Sequence, residues 1–526
     1  MENVEFEFGE KEKSEKKFYL TVAQKVERLT VNFSWLPAVT HFYFDNIEDI
    51  IKFLDENEEE RKEFEALISR IDDKTIYPIS WDYVKKILNA KDAQGRDLIN
   101  LEELDKRLSV LVMDCKDNPG KANELMVTEE QYKKIFGEVF TPAELVNEML
   151  DKLPVEVWNN KDLTWCDPAC GSGNFLYHVK RRLMEGLSEV IEDEKERERW
   201  IVENMLYGVE LQRKNCYLCM FKLDPENEFK TNIACENSLE FNFWGKKFDV
   251  VVGNPPYNSG SQNKGAGNIL WDKFIVKALD TCKNDGYICF VNPGLWRKPG
   301  HNLWKYFTQN NLIYLEIHNE ADGVKTFRAN TRYDWYVLQK TKYSGETVIK
   351  TETGEMENIN ITEYGWIPNS EFALIKKLIA NVNDEKCKII NERTSYGADK
   401  SWVENEKNET FQYPCVYSVN RQNQLTLKWS STNENGHFGI PKVIFGSGAT
   451  GFYVDKNGDY ALTQWATGIV DEPENLEKIA SVLDSNEFKN IIKAMSMSKQ
   501  EINAKVLSLF RKDFWKEFLP EETEDE

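Results

Sequence analysis

At 526 residues the chain is long enough for two or three domains of ordinary size. Its formal charge of −22 excludes a protein that is basic throughout, and no apolar run nears the roughly 20 residues that cross a bilayer. Residues 1–17 are polar and mixed in charge, so no secretory leader is expected; ten cysteines without a spacing framework fit a reducing, cytoplasmic compartment.

Residues 1–130 carry charged helical patterns, as at 46–68 and 81–88, with no recognisable chemistry. Over 131–345 short apolar runs alternate with amphipathic stretches; the runs are 163–167, 205–210, 232–235, 248–253, 286–292, 312–318 and 333–339. Strands separated by helices predict an α/β domain with a mainly parallel, Rossmann-like sheet. Residues 346–526 break into polar loops, short β-like runs such as 442–445, and a helical stretch over 475–518, which predicts a separate α+β domain. Cys216 and Cys219 have CxxC spacing but no second pair follows, so they read as core thiols one helical turn apart and no metal site is expected. Much of the acidity sits in runs such as 56–60, 192–199 and 521–526, which read as solvated faces or tails. Two segments, 295–301 and 327–332, mix cations with aromatics and are candidates for a locally basic cleft.

The first chemical motif, Asp167-Pro168-Ala169-Cys170-Gly171-Ser172-Gly173-Asn174-Phe175, joins an apolar run to a helical pattern. Its glycines let the backbone turn tightly and approach a ligand at a helix N-terminus. An acid at its head would repel phosphates but suits a cationic ligand. The next apolar run ends in Glu210, placed like a strand-end carboxylate that accepts hydrogen bonds from ribose hydroxyls, although further along the chain than in dinucleotide folds.

The second motif is Asn254-Pro255-Pro256-Tyr257, directly after the very apolar 248–253. A buried strand ending there puts these groups at the carboxyl edge of the sheet, where open α/β folds bind ligands. An exocyclic amine of a base is a poor nucleophile because its lone pair is delocalised into the ring. The Asn254 amide oxygen and the Pro255 carbonyl can each accept one of its protons, favouring the pyramidal form, and the prolines fix φ in advance. Tyr257 offers a flat face for a planar target.

With these motifs in this order, the stretch 131–345 resembles the amino-group DNA methyltransferases of the γ arrangement, which methylate adenine N6. Gly137-Glu138-Val139-Phe140-Thr141-Pro142 is similar to that family's upstream cofactor motif. The resemblance implies S-adenosylmethionine as cofactor, with Phe140, Thr141 and Pro142 closing over it. Asp167, Ala169, Gly171 and Gly173 would hold its methionine part and Glu210 its ribose. Many relatives contact the cofactor adenine with Asp; here Asn237 takes that place. Phe327 sits where the family carries a second aromatic against the flipped base. The expected substrate is adenine rotated out of double-stranded DNA, with 346–526 as the target recognition domain and the small, polar stretch 258–268 ordering on DNA. The resemblance leaves open whether a cognate restriction endonuclease accompanies the chain. An RNA-base or protein-glutamine methyltransferase would face the same nucleophilicity problem and is the alternative, followed by a fused restriction-modification enzyme.

Overall fold

The computed structural model describes residues 44, 46–68, 70–72, 75–77, 80–89, 91, 95, 97, 100–120, 141–258, 269–446, 448, 451–497 and 502–519. Phe140, most of the polar stretch 258–268 and the acidic tail 521–526 lie outside the described residues. The chain divides into two compact units, Met1–Asn292 and Pro293–Glu526.

The first unit opens with helices α1 (Ile47–Glu56), α2 (Glu58–Ile68), α3 (Trp81–Leu88) and α4 (Leu101–Asp117), with a short hairpin of β1 (Arg70–Asp72) and β2 (Thr75–Tyr77) between α2 and α3. Ile50, Leu54, Phe64, Trp81, Val84 and Leu88 form a small core there, and the patterns read at 46–68 and 81–88 are helices. There follow α5 (Ala143–Leu150), β3 (Trp165–Asp167), α6 (Asn174–Gly186), α7 (Glu194–Trp200), β4 (Leu206–Glu210), α8 (Arg213–Leu223), β5 (Asn232–Cys235), β6 (Phe248–Gly253), α9 (Trp271–Thr281) and β7 (Cys282–Pro293). Strands β3 to β7 pair in parallel in the order β7-β6-β3-β4-β5. The order reverses between β3 and β6, and a crevice at such a switch point is where open α/β sheets bind ligands. Central β6 is a Val250-Val251-Val252 run with both faces covered, as a buried parallel strand requires. Helix α6 turns Phe175, Leu176, Val179 and Leu183 inward, so the loop before it is held between a fixed strand and a fixed helix.

The second unit contains α10 (Trp304–Gln309), β8 (Asn310–His318), α11 (Glu320–Phe327), β9 (Tyr333–Lys342), β10 (Thr347–Lys350) and β11 (Met356–Ile359). Strand β8 is antiparallel to β9 and parallel to β10. The runs 312–318 and 333–339 are thus strands as expected, but they belong to this unit and pair antiparallel with each other. Beyond α12 (Phe372–Leu378), β12 (Lys388–Ile390), β13 (Val403–Glu404), β14 (Tyr413–Val419), β15 (Leu425–Ser430), β16 (Lys442–Gly446), β17 (Phe452–Asp455), β18 (Ala461–Leu462) and β19 (Ala466–Val470) form two sheets, β12-β19-β16-β17 and β13-β15-β14-β18. Ile390, Val416, Ile444, Leu462 and Ala466 share one core there. The helical stretch expected over 475–518 breaks into α13 (Leu476–Asp484), α14 (Asn486–Met495) and α15 (Ala504–Leu507), and Ser485, whose hydroxyl caps α14, marks the first break.

Two of the cations in the segments read as a basic cleft are taken up within the fold. Arg297 is fully buried and paired with Asp334 at 2.7 Å, while Arg332 is paired with Glu320 at 2.9 Å and with Glu352. Spacing in sequence carried no sign of acids that arrive from elsewhere in the chain. Among the described residues no helix is long and apolar enough to cross a membrane.

Candidate active site

At the carboxyl end of β3 the chain turns through the glycine loop into α6. The turn is closed by the Cys170 amide donating to the Val209 carbonyl (3.0 Å) and the Gly173 amide to the Cys170 carbonyl (2.8 Å). Gly171 and Gly173 have φ of +53° and +85°, values that side chains resist. Their surroundings differ. A Cβ on Gly171 would meet nothing within 4 Å, whereas one on Gly173 would lie 2.7 Å from Cys219 Sγ and 3.0 Å from its Cα. Gly173 therefore lets α8 approach, and Gly171 is the glycine that faces open space. A side chain at 173, expected to meet a ligand, meets Cys219 first.

Asp167 is 1% exposed, and its Oδ1 accepts from the Ala169 amide at 2.9 Å. Burial, reinforced by the negative Glu210, pushes its carboxyl up to about 8. Glu210 is held from both sides: Oε2 accepts from the Gly171 amide (3.0 Å) and Oε1 from the Gln212 amide (2.8 Å). These two bonds fix the carboxylate at the end of β4. Beyond β5, Asn237 is exposed and its Oδ1 accepts from the Leu239 amide at 3.2 Å, which leaves the amide nitrogen as donor. Ser238 donates to the Pro168 carbonyl and ties this turn to the glycine loop.

The Asn-Pro-Pro-Tyr turn leaves β6 beside the same loop. At Gly253, with φ of +151°, a Cβ would sit 2.7 Å from Asp167 Oδ1, so only glycine lets the two strand ends come this close. Asn254 Nδ2 donates to Thr141 Oγ1 at 3.1 Å, which joins the upstream motif to the turn. Pro142 stands at the start of α5, its carbonyl accepting from the Val146 amide. Pro255 is buried, while Asn254, Pro256 and Tyr257 are partly exposed. The Tyr257 carbonyl accepts from the Leu270 amide (3.1 Å), which anchors the turn to the start of α9. The structure thus gathers Thr141, Asp167, Ala169, Gly171, Glu210 and Asn254 at one sheet edge, with Asn237 on the adjoining loop. Phe327 lies in the second unit, buried and edge-on to Tyr333 at 4.8 Å.

Two residues given no role from sequence belong to this edge. Asn174 Nδ2 donates to the Thr141 carbonyl (3.0 Å), and Asn174 Oδ1 accepts from Lys222 Nζ (2.7 Å). Lys222 is 1% exposed, also reaches Ser172 Oγ at 3.2 Å, and is pulled down to about 7 by burial. The available signal was a lone lysine in the apolar run Leu218-Cys219-Met220-Phe221-Lys222-Leu223. Cys216 and Cys219 are buried thiols on α8, as read.

Residues 115–291 match the N-6 DNA methylase family model. An uncharacterized adenine-specific methylase of Mycoplasma pneumoniae is 27% identical, over 41% of this chain and 70% of its own length. The type II restriction enzyme and methyltransferase RM.BcgI of Heyndrickxia coagulans is 29% identical over 40% of this chain, which spans 29% of that larger protein. Among solved structures, a nuclease-deletion mutant of the type ISP restriction-modification enzyme LlaGI shares the fold over 94% of this chain and 53% of its own, with a TM-score of 0.51 and 13% identity. With its parallel sheet and motif-bearing edge, the stretch 115–291 is similar to the N-6 DNA methylases, and the chain spans under a third of the length of RM.BcgI.

Proposed function

We propose that the chain is a site-specific methyltransferase that transfers a methyl group from S-adenosylmethionine to adenine N6 in duplex DNA. The observation that carries this reading is the orientation of Asn254: its amide nitrogen is committed to Thr141, so its oxygen is the group left to accept from a substrate amine. The cofactor fits the edge because Asp167 is a buried carboxylate with no cation paired to it among the described residues, next to an open face at Gly171. A cationic ligand would restore its charge. Asp167, Ala169 and Gly171 would hold the methionine part, Glu210 the ribose, Asn237 the adenine, and Thr141 and Pro142 would close over it. When bound, S-adenosylmethionine supplies a methyl group on a cationic sulfur that an amine nitrogen can take, leaving a neutral thioether and a proton.

The Asn254 oxygen and the Pro255 carbonyl hold the two amine protons and direct the nitrogen lone pair away from the ring, an arrangement set before substrate arrives. Tyr257 stacks on the base, offsetting part of the few kcal/mol that flipping costs. Residues 346–526 carry target recognition, and a cognate restriction endonuclease is a natural companion of such an activity. The test is transfer of tritiated methyl to duplex DNA, RNA and protein, followed by nucleoside analysis. N6-methyladenine in DNA is the expected product; label in RNA or protein alone would refute the reading.

A further inference from the structure

Asn254 is not held by its own turn alone. Its amide donates to the Thr141 hydroxyl, the Thr141 carbonyl accepts from Asn174, and Asn174 accepts from the buried Lys222 amine, in contacts of 3.1, 3.0 and 2.7 Å. Each link constrains the next. The Lys222 amine donates to the Asn174 oxygen, which leaves the Asn174 nitrogen to donate to the Thr141 carbonyl. Thr141, held by its backbone and itself buried, then presents its hydroxyl oxygen to Asn254. The Asn254 nitrogen meets that oxygen at 3.1 Å, and its amide oxygen faces the other way. Elements far apart in sequence, α8, the head of α6, the segment before α5 and the end of β6, thereby share one polar chain.

We propose that Lys222 is a positioning residue for methyl transfer, acting through Asn174 and Thr141 to fix the placement of the Asn254 side chain. The inference rests on the methyltransferase reading and deepens it. A lysine kept this far from water is costly in an apolar helix, and a methionine of similar length would fill the same volume without desolvating a charge. Replacing the amine by methionine removes that desolvation cost but leaves the Asn174 oxygen without this donor, so the effect on the fold is the difference of two opposing terms. A positioning role and a merely structural role predict different outcomes.

The experiment compares wild type, Lys222→Met, Asn174→Leu and the double variant in the full-length chain. Single-turnover transfer to duplex DNA at saturating cofactor is measured beside melting temperature and cofactor Kd. Small misplacements of a catalytic group can cost up to about 100-fold. Each single variant is expected to slow transfer by about 10-fold to 100-fold, with a smaller change in cofactor Kd. Lys222→Met should melt close to wild type, the lost hydrogen bonds being offset by the desolvation cost removed. The double variant should be no slower than the worse single variant, since both cut the same chain. Wild-type rates in Lys222→Met, multiplied losses in the double variant, or a rate loss that tracks the folded fraction would each overturn the proposal. Asn174→Leu leaves it falsifiable should Lys222→Met not fold. If wild type modifies no adenine, the functional reading itself falls and the inference with it.

Discussion

Three buried aspartates separate the two units by the company they keep. In the second unit Asp334 is fully buried against Arg297 at 2.7 Å, and Asp455, 2% exposed, against Lys442 at 2.8 Å. Arg297 also donates to the Ile367 carbonyl, and Asp455 accepts from the Asp459 and Tyr460 amides. In the first unit Asp167 is equally buried, yet among the described residues it has a backbone amide and no cation, and its carboxyl is held up near 8. The same side chain at the same depth is thus neutralised by the fold in one place and left without a cation among the described residues in the other. Perturbed carboxylates of the second kind mark ligand sites more often than paired ones.

The largest expected effect tests the paired side. Arg297→Ala removes one member of a buried pair and strands Asp334, a change that typically costs about 3 to 5 kcal/mol. Thermal or denaturant unfolding should show that loss, and an unchanged melting temperature would break the comparison. Asn254→Ala tests the other side: loss of one preorganised hydrogen-bonding group costs on the order of 2.7 to 4 kcal/mol in the barrier. Cofactor and DNA binding and melting should stay near wild type while single-turnover transfer falls at least ~100-fold. A near-normal rate would remove Asn254 from the chemistry.

Asp167→Asn should act on binding. A hydrogen bond to a charged group is worth about 1.5 to 3 kcal/mol, so calorimetry should show cofactor affinity weaker by that amount. The fold should not suffer, because the substitution removes the cost of burying a carboxylate. The sign with pH follows from the raised value, about 8 against an ordinary 3.8. The stability that Asp167 lends the unliganded protein is fully present below pH 4 and is lost as pH rises through 8. Cofactor affinity runs the opposite way, tightening by up to about tenfold per pH unit below 8 and levelling above it, since a cation needs the ionised carboxylate. Asp167→Asn should flatten that profile; a profile unchanged by the substitution would assign the titration to another group.

The parts of this molecule legible in sequence were those written locally. The runs 232–235 and 248–253 coincide with β5 and β6, and 81–88 with α3, because period and turn chemistry act over a few residues. The glycine loop and the Asn-Pro-Pro-Tyr turn were legible for the same reason. What escaped depends on distant chain segments meeting. The burial of Arg297 depends on Asp334, 37 residues on, and the place of Lys222 in the site depends on Asn174, 48 residues back. Gly253 was readable as the end of a strand, but its proximity to Asp167 was not, since the two strands pair only in the folded sheet.

The smallest expected effect separates two glycines that sequence treats alike. Gly171 and Gly173 both hold positive φ, so alanine at either bears a left-handed strain of about 1 to 2 kcal/mol. At Gly171 that strain should be the whole cost to the fold, because its Cβ enters open space. At Gly173 the Cβ also meets Cys219 at 2.7 Å to sulfur and 3.0 Å to the backbone, so the helix α8 must shift. Gly173→Ala should therefore melt lower than Gly171→Ala. Cofactor affinity should rank the other way once each is measured on folded protein, since the open face at Gly171 is the one a ligand would approach. The same helix carries Lys222, so a shift of α8 in Gly173→Ala would also loosen Asn174 and slow transfer, a loss absent from Gly171→Ala at saturating cofactor. Equal melting of the two variants would mean that Cys219 yields freely. Undiminished cofactor affinity in Gly171→Ala would place the ligand away from the loop, and Asp167 would then be a buried carboxylate waiting for nothing.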